Sequence, residues 1–153
     1  MAEYPKNLNT QMIGRAGELF VQYAFLKCGV DSSLMTTDYG VDLVAFHQKW
    51  PVPLLIQVKA TTVKEEADSA WVEWDTRDKL IAGYVALVDI KRNKAWLFCK
   101  DKFMSISTST GGPGRRLWWY IPGRLPRGAR LKRAEEDYRS NLLECAIYRL
   151  LND

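Results

Sequence analysis

The chain has a single histidine and three cysteines in 153 residues. One histidine leaves a His-based zinc site or a Ser-His-Asp hydrolase triad unsupported. Cys28, Cys99 and Cys145 are odd in number, widely spaced and set in apolar contexts. They fit neither a disulfide framework nor a CxxC metal site, and predict buried, reduced thiols. No apolar run approaches the roughly 20 residues of a membrane-spanning helix. The opening Met1-Ala2-Glu3-Tyr4-Pro5-Lys6 has no apolar stretch of signal-peptide type. Repeats and low-complexity segments are absent as well. The expectation is a cytoplasmic or nucleoid-associated protein, not a secreted one.

What is present is an ordinary globular composition, 47% hydrophobic and 26% charged. The length predicts one domain over residues 1–153, able to bury its own core. A net charge of +4 and a pI near 9.0 are compatible with a nucleic-acid partner without demonstrating one. The distribution says more. Between Gly111 and Lys132 stand Arg115, Arg116, Arg124, Arg127, Arg130 and Lys132 with no acid among them, interleaved with Trp118, Trp119 and Tyr120. Arginines on phosphates and an exposed aromatic would suit DNA or RNA. Arg115, Arg116, Trp118, Arg124, Arg127 and Lys64 are the candidate contacts, Lys91 and Arg92 weaker ones. The plain alternative is a solvated loop with one tryptophan ring packed in the core.

Periodicity predicts a helix from about Thr10, as N-cap, to Cys28, stopped by Gly29. Gly14, Glu18 and Gln22 share one small, polar face of it. Strands follow at 41–46 and 54–61, joined by the proline-bearing Lys49-Trp50-Pro51-Val52-Pro53 and expected to pair as a hairpin. Another strand is expected at 70–74, then a short helical turn over 75–80. Residues 83–90 and 95–99 read as a hairpin around Lys91-Arg92-Asn93-Lys94. Weaker edge strands fall at 103–107 and 117–121, inside a mostly looped 115–128. An amphipathic helix at about 131–151 closes the chain. The class is α/β: a mixed central β-sheet flanked by an N-terminal and a C-terminal helix.

Within "LLIQVKAT", residues 54–61, Gln57 and Lys59 interrupt an apolar strand. Burying an amide or an ammonium costs several kcal/mol, on the order of 2–7 for the amide, unless each finds partners. Alternation puts both on one face, with Ile56 and Val58 on the other. If the preceding strand pairs here, Asp42 joins them. A carboxylate, an amide oxygen and a lysine at one patch suit Mg²⁺ (or Mn²⁺) with its waters, the lysine holding a water or a phosphate oxygen.

Asp42 followed by Gln57-Val58-Lys59 resembles the PD-(D/E)xK nuclease signature, with Gln57 in the place of the acid. "GRAGE", residues 14–18, is similar to the first helix of Holliday-junction resolvases. "DYGVDL" with "IQVKAT" resembles Mrr-like restriction nucleases and small intron-encoded homing endonucleases, where glutamine often holds that position. "AGYVALVDIKRNKAWLFC" is similar to the hairpin that follows the signature. The resemblance covers about residues 11–107, leaving a basic Gly/Pro/Trp loop at about 111–130 and the closing helix.

It implies a restriction-endonuclease-like fold and a metal-dependent DNA endonuclease, homing or junction-resolving. Asp42, Gln57, Lys59 and Glu18 would be catalytic, with metal held by Asp42, Gln57, the Val58 backbone carbonyl and Glu18. One such site cuts one strand, so a homodimer or higher symmetric assembly is expected, with the closing helix as its interface. The alternative is a nuclease-fold module that binds nucleic acid or protein without cleaving. Each residue also has a plain reading: Lys59 guarding a sheet edge, Gln57 bonding a loop, Asp42 capping a turn that Asp38 suits better. Glu18 could be a solvated acid in the first helix, and Gln22 and His47 surface groups.

Overall fold

The computed structural model describes residues 8–37, 39–129 and 133–153. Helix α1 runs Thr10–Lys27, and Asn9, not Thr10, is its N-cap: the Asn9 side chain accepts the Met12 N–H at 2.8 Å. Gly29, at a φ of 79°, turns the chain out of it. The rest is β1 (Asp31–Leu34), β2 (Leu43–Phe46), β3 (Leu54–Thr61), β4 (Lys64–Glu65), β5 (Ala70–Arg77), β6 (Tyr84–Asp89), β7 (Lys94–Cys99), α2 (Lys100–Ile106), β8 (Thr108–Ser109), β9 (Gly114–Tyr120), a 3₁₀ segment Glu135–Asn141 and α3 (Leu143–Asn152).

The expected hairpins β2–β3 and β6–β7 are antiparallel, and β3 and β6 are joined as a parallel pair. With β1 outside β2 they make a mixed five-stranded sheet in the order β1-β2-β3-β6-β7. One face carries Ile56, Val58, Ala86 and Val88 against Val21 and Phe25 of α1 and Ile147 of α3. The other face carries Val85, Leu87, Trp96 and Phe98 against a second sheet, β4-β5-β9-β8, through Val72, Trp74, Leu117 and Trp119. Helices, mixed sheet and second sheet form three layers, with the expected helices flanking the central sheet.

The second sheet is the main departure from expectation. Residues 75–80 are not a helical turn, because β5 continues to Arg77. Residues 114–120 are neither loop nor edge: β9 lies between β5 and β8, alternating Leu117 and Trp119 inward with Arg116, Trp118 and Tyr120 outward. Residues 103–107 belong to α2 and its end, where Phe103 and Ile106 face the core at helical spacing. The closing helix breaks at Leu142, which bridges to Trp96 while Asn141 donates to the Leu97 carbonyl. Leu143, Ala146 and Ile147 of α3 are buried in the chain's own core, while Cys145 and Tyr148 of the expected stripe are exposed. The cysteines are free thiols as expected, but Cys99 and Cys145 are exposed and Cys28 half-buried. No described helix is long and apolar enough to cross a membrane. Asp38, Arg130, Lys132 and the start expected for the closing helix lie outside the described residues.

Candidate metal and phosphate site

The β2–β3 pairing brings Asp42 to Gln57 and Lys59. Leu43 is the register partner of Ile56, yet the Asp42 N–H also donates to the Ile56 carbonyl at 2.9 Å. Two residues addressing one partner is a bulge, and it re-aims the Asp42 side chain. Asp42 Oδ2 then accepts the Val58 N–H at 2.7 Å, on the edge of β3 that β2 no longer covers. The carboxylate therefore rests on the backbone between Gln57 and Lys59. A strand residue turns its N–H and C=O to the same edge, so the Val58 carbonyl faces this opening too.

Register places Gln57 beside Val85 and Lys59 beside Leu87, both lining the core between the two sheets. Gln57 is only 8% exposed, and its Oε1 is buried with no hydrogen-bond partner among the described residues. An orphan acceptor of this kind costs about 1–3 kcal/mol, so it asks for an explanation. Lys59, half-buried one step on, makes no hydrogen bond or ion pair among the described residues. The expectation that Gln57 bonds a loop does not describe it.

Glu18 arrives differently. Gly17 lets α1 sit directly on β3, since a methyl on Gly17 would stand 2.5 Å from the Ala60 Cβ. That contact sets α1 on the Val58 and Ala60 face of β3, opposite the face of Gln57 and Lys59, and the Glu18 carboxylate is held by Arg15 at 2.9 Å. Gln22 is not a free surface group: its amide donates to the Ser32 carbonyl at 3.0 Å and ties α1 to β1. His47 sits in the turn after β2, accepting the Lys49 N–H at 3.2 Å. Among the described residues no group of three His, Cys, Asp or Glu side chains stands ready for a metal. A cation here would depend on the Gln57 amide and backbone oxygen beside Asp42, a donor set that suits hard Mg²⁺.

Part of the basic segment is engaged by its own fold. Arg115 donates to Ser107 Oγ at 2.9 Å and to the Met104 and Ser107 carbonyls at 2.9 and 2.8 Å. Arg116 forks onto Asp75 across the β5–β9 pair at 2.7 and 2.9 Å, and holds the Asp75 carboxyl below its usual range. Lys64 pairs with Glu73. Arg124 and Arg127 stay exposed, with no ion pair among the described residues. Of the two tryptophans one is core, Trp119, and one is partly exposed, Trp118, in edge contact with Tyr120 at 5.2 Å. Trp118 rims an open groove of about 390 Å³ that also carries Glu66, Asp68 and Glu73.

A mixed sheet with the terminal helices on one face and a second sheet on the other is an architecture shared with a solved endonuclease. Among solved structures the chain is similar to the bacterial homing endonuclease I-Ssp6803I, at 15% identity and a TM-score of 0.62, over 94% of this chain and 92% of that one. At that identity the likeness carries the fold. No protein-family profile matches the chain, and no curated protein matches it by sequence.

Proposed function

We propose that the chain is a metal-dependent DNA endonuclease of the PD-(D/E)xK class, built on the Gln-x-Lys variant of that site. The observation that carries this reading is the buried, unpartnered Gln57 Oε1 beside the Asp42 carboxylate. Buried polar atoms are usually bonded, and of the three orphans among the described residues, the others being Ser32 Oγ and Trp96 Nε1, this one stands two residues from Lys59.

Asp42, Gln57 Oε1 and the Val58 carbonyl would hold Mg²⁺ (or Mn²⁺), with Glu18 joining by leaving Arg15. The ion, when bound, supplies Lewis acidity and an acidified water for phosphodiester hydrolysis. The Lys59 ammonium has three donors for a water or a non-bridging phosphate oxygen and stabilises charge building there. Water adds to phosphorus, the bond to one ester oxygen breaks, and that oxygen leaves with a proton. Asp42 stays anchored to the Val58 N–H and fixes where the phosphate must sit. Arg124, Arg127 and Trp118 are the proposed DNA contacts, with Lys64 and Arg116 available where phosphate displaces their acids. Arg115, engaged by three backbone and hydroxyl oxygens, shapes that surface without touching DNA. A two-strand cut on this reading takes two copies.

Cleavage of linear and branched DNA duplexes with Mg²⁺ or Mn²⁺ tests it. Lys59→Ala is expected to lose about 10²–10³-fold in rate, the scale for removing one charge-stabilising donor, and Asp42→Ala to abolish cleavage. Equal rates in parent and both variants sink the catalytic reading. DNA binding with steep salt dependence and no cleavage under any divalent ion favours the non-cleaving module instead.

A further inference from the structure

Three tryptophans, Trp74, Trp96 and Trp119, pack together between the two sheets with ring centroids 4.9 to 5.7 Å apart. All three are buried, and two of their N–H groups are bonded within the chain. Trp74 Nε1 donates to the Val88 carbonyl at 3.0 Å, and Trp119 Nε1 to Glu135 Oε2 at 3.2 Å. Trp96 Nε1 is as buried and has no acceptor among the described residues. A buried indole N–H ordinarily has a partner. Of the three rings Trp96 alone lines a cavity, one of about 150 Å³ at the β7 edge of the central sheet. A single water needs only about 10–15 Å³ of such space, so a molecule of several heavy atoms fits. The buried carboxylate in that cavity cannot serve Trp96. Glu135 Oε1 is taken by Lys94, and its Oε2 by Arg92 and Trp119.

We infer that this cavity binds a small organic carboxylate, whose oxygens accept from Trp96 Nε1 at the buried end and from Arg139 at the mouth. Arg139 lines the cavity, is exposed, and has no ion pair or side-chain hydrogen bond among the described residues. Lys94, on the same wall, keeps donor hydrogens beyond its bond to Glu135. The unspent capacity inside is therefore donor capacity, which an acceptor group fills. One negative charge is the match, since Lys94 and Glu135 offset each other and Arg139 remains. Bonds from a guanidinium to a carboxylate are charge-assisted, about twice as strong as neutral ones. Pro122 and Leu142 complete the wall, so the body of the ligand is short and apolar. Glu136, exposed at the mouth and also without an ion pair among the described residues, stands three residues before Arg139. An ammonium on the ligand would meet it, so a simple carboxylic acid and a free amino acid share the chemistry that this cavity selects.

The cavity is separate from the metal and phosphate site. Trp96 is in register with Leu87, and Leu87 with Lys59, so strand β6 stands between the two. Neither reading depends on the other. A chain that cleaves no DNA can still bind a carboxylate here, and a nuclease whose cavity takes only water overturns this inference alone.

Titration of the ¹⁵N-labelled protein, followed by NMR through its six indole N–H signals, decides it. The Trp96 signal is assigned by its through-space contacts to Trp119 and Leu142, with no substitution in the core. Sodium isovalerate is expected to move that proton downfield and to saturate, with a dissociation constant on the order of millimolar for so small a ligand. Arg139→Gln, at an exposed position, should raise that constant about tenfold or more. L-Valine adds an ammonium to the same carboxylate and body. A margin over isovalerate that Glu136→Gln removes assigns the site to amino acids, and no margin assigns it to simple carboxylates. A Trp96 signal that does not move overturns the inference and leaves a cavity filled by water. So do equal shifts with isovaleramide or sodium chloride, which carry no carboxylate, and unchanged binding by Arg139→Gln.

Discussion

The central sheet holds two sets of buried polar side chains in opposite conditions. At one end Asp89, fully buried on β6, is paired with Arg92, whose guanidinium also reaches Glu135 at 2.7 Å. Lys94 meets the other oxygen of Glu135 at 2.7 Å, and Trp119 Nε1 donates to the same carboxylate at 3.2 Å. Every carboxylate there has a cation and a hydrogen bond. At the β2–β3 end, Gln57 is as buried and its oxygen has nothing, while Lys59 beside it has no anion among the described residues. The first set locks the β6–β7 hairpin to the 3₁₀ segment and is complete within the chain. The second is complete only with something added, and that difference separates a strut from a site.

The largest expected effect comes from breaking the complete set. Arg92→Ala leaves Asp89 and Glu135 without their shared cation, and removing one partner of a buried pair costs about 3–5 kcal/mol. Lys59→Ala removes no partner from anything described and is expected to change stability by less than about 0.5 kcal/mol. Urea unfolding of the two variants makes the comparison. Similar losses for both would show that Lys59 is structural and that the two sets do not differ in kind.

Legibility in the sequence follows how local the cause is. Asp42, Gln57 and Lys59 are legible because strand alternation and a misplaced polar pair are read within a few residues. The β6–β7 hairpin is legible because two apolar runs flank a polar turn, with Asn93 at a φ of 52°. Strand β9 is legible only over its second half, as the strand expected at 117–121; its start at Gly114 and its place between β5 and β8 are set by pairing with residues distant in sequence. The run 103–107 is too short for periodicity to separate strand from helix, and Phe103 packing settles it as α2. The break at Leu142 depends on Trp96 and Leu97, more than forty residues away. The acids that engage Arg116 and Lys64 lie on another strand, so those two cations are paired in space, while Arg124 and Arg127 have no ion pair among the described residues. Gly17 stands within the GRAGE stretch, but its close approach to Ala60 shows only in the packing.

A smaller and opposite effect is expected at the open set. Gln57→Met keeps the shape and removes the orphan oxygen. Replacing an unsatisfied buried polar group by an apolar isostere is neutral or stabilising, here by up to about 1 kcal/mol. The same variant should lose the rise in melting temperature that saturating Mg²⁺ gives the parent through mass action. Differential scanning calorimetry with and without Mg²⁺ reads both at once. Destabilisation by Gln57→Met would mean that its oxygen has a partner inside the chain. An unchanged Mg²⁺ response would place the ion elsewhere.

The smallest effect is a slope with pH, and it belongs to the complete set. Burial pushes the Glu135 carboxyl up, but hydrogen bonds and charges from Arg92 and Lys94 outweigh it and hold the group below its ordinary value of 4.5. A carboxyl depressed in the folded state contributes stability that is fully present above its unfolded value. That contribution declines as pH falls below about 4.5 and is gone once the folded group protonates. Asp75 is depressed by Arg116 in the same sense, but the pair is largely exposed and solvent screens it. Urea midpoints measured from neutral pH downward should therefore fall for the parent, and fall less steeply for Glu135→Gln, which carries no proton-linked charge at that position. The variant starts lower at neutral pH because Arg92 and Lys94 lose their anion, so the two curves converge in acid. Parallel curves would show that acid sensitivity arises elsewhere, and that the buried pairing around Glu135 does not distinguish this end of the sheet from the open one.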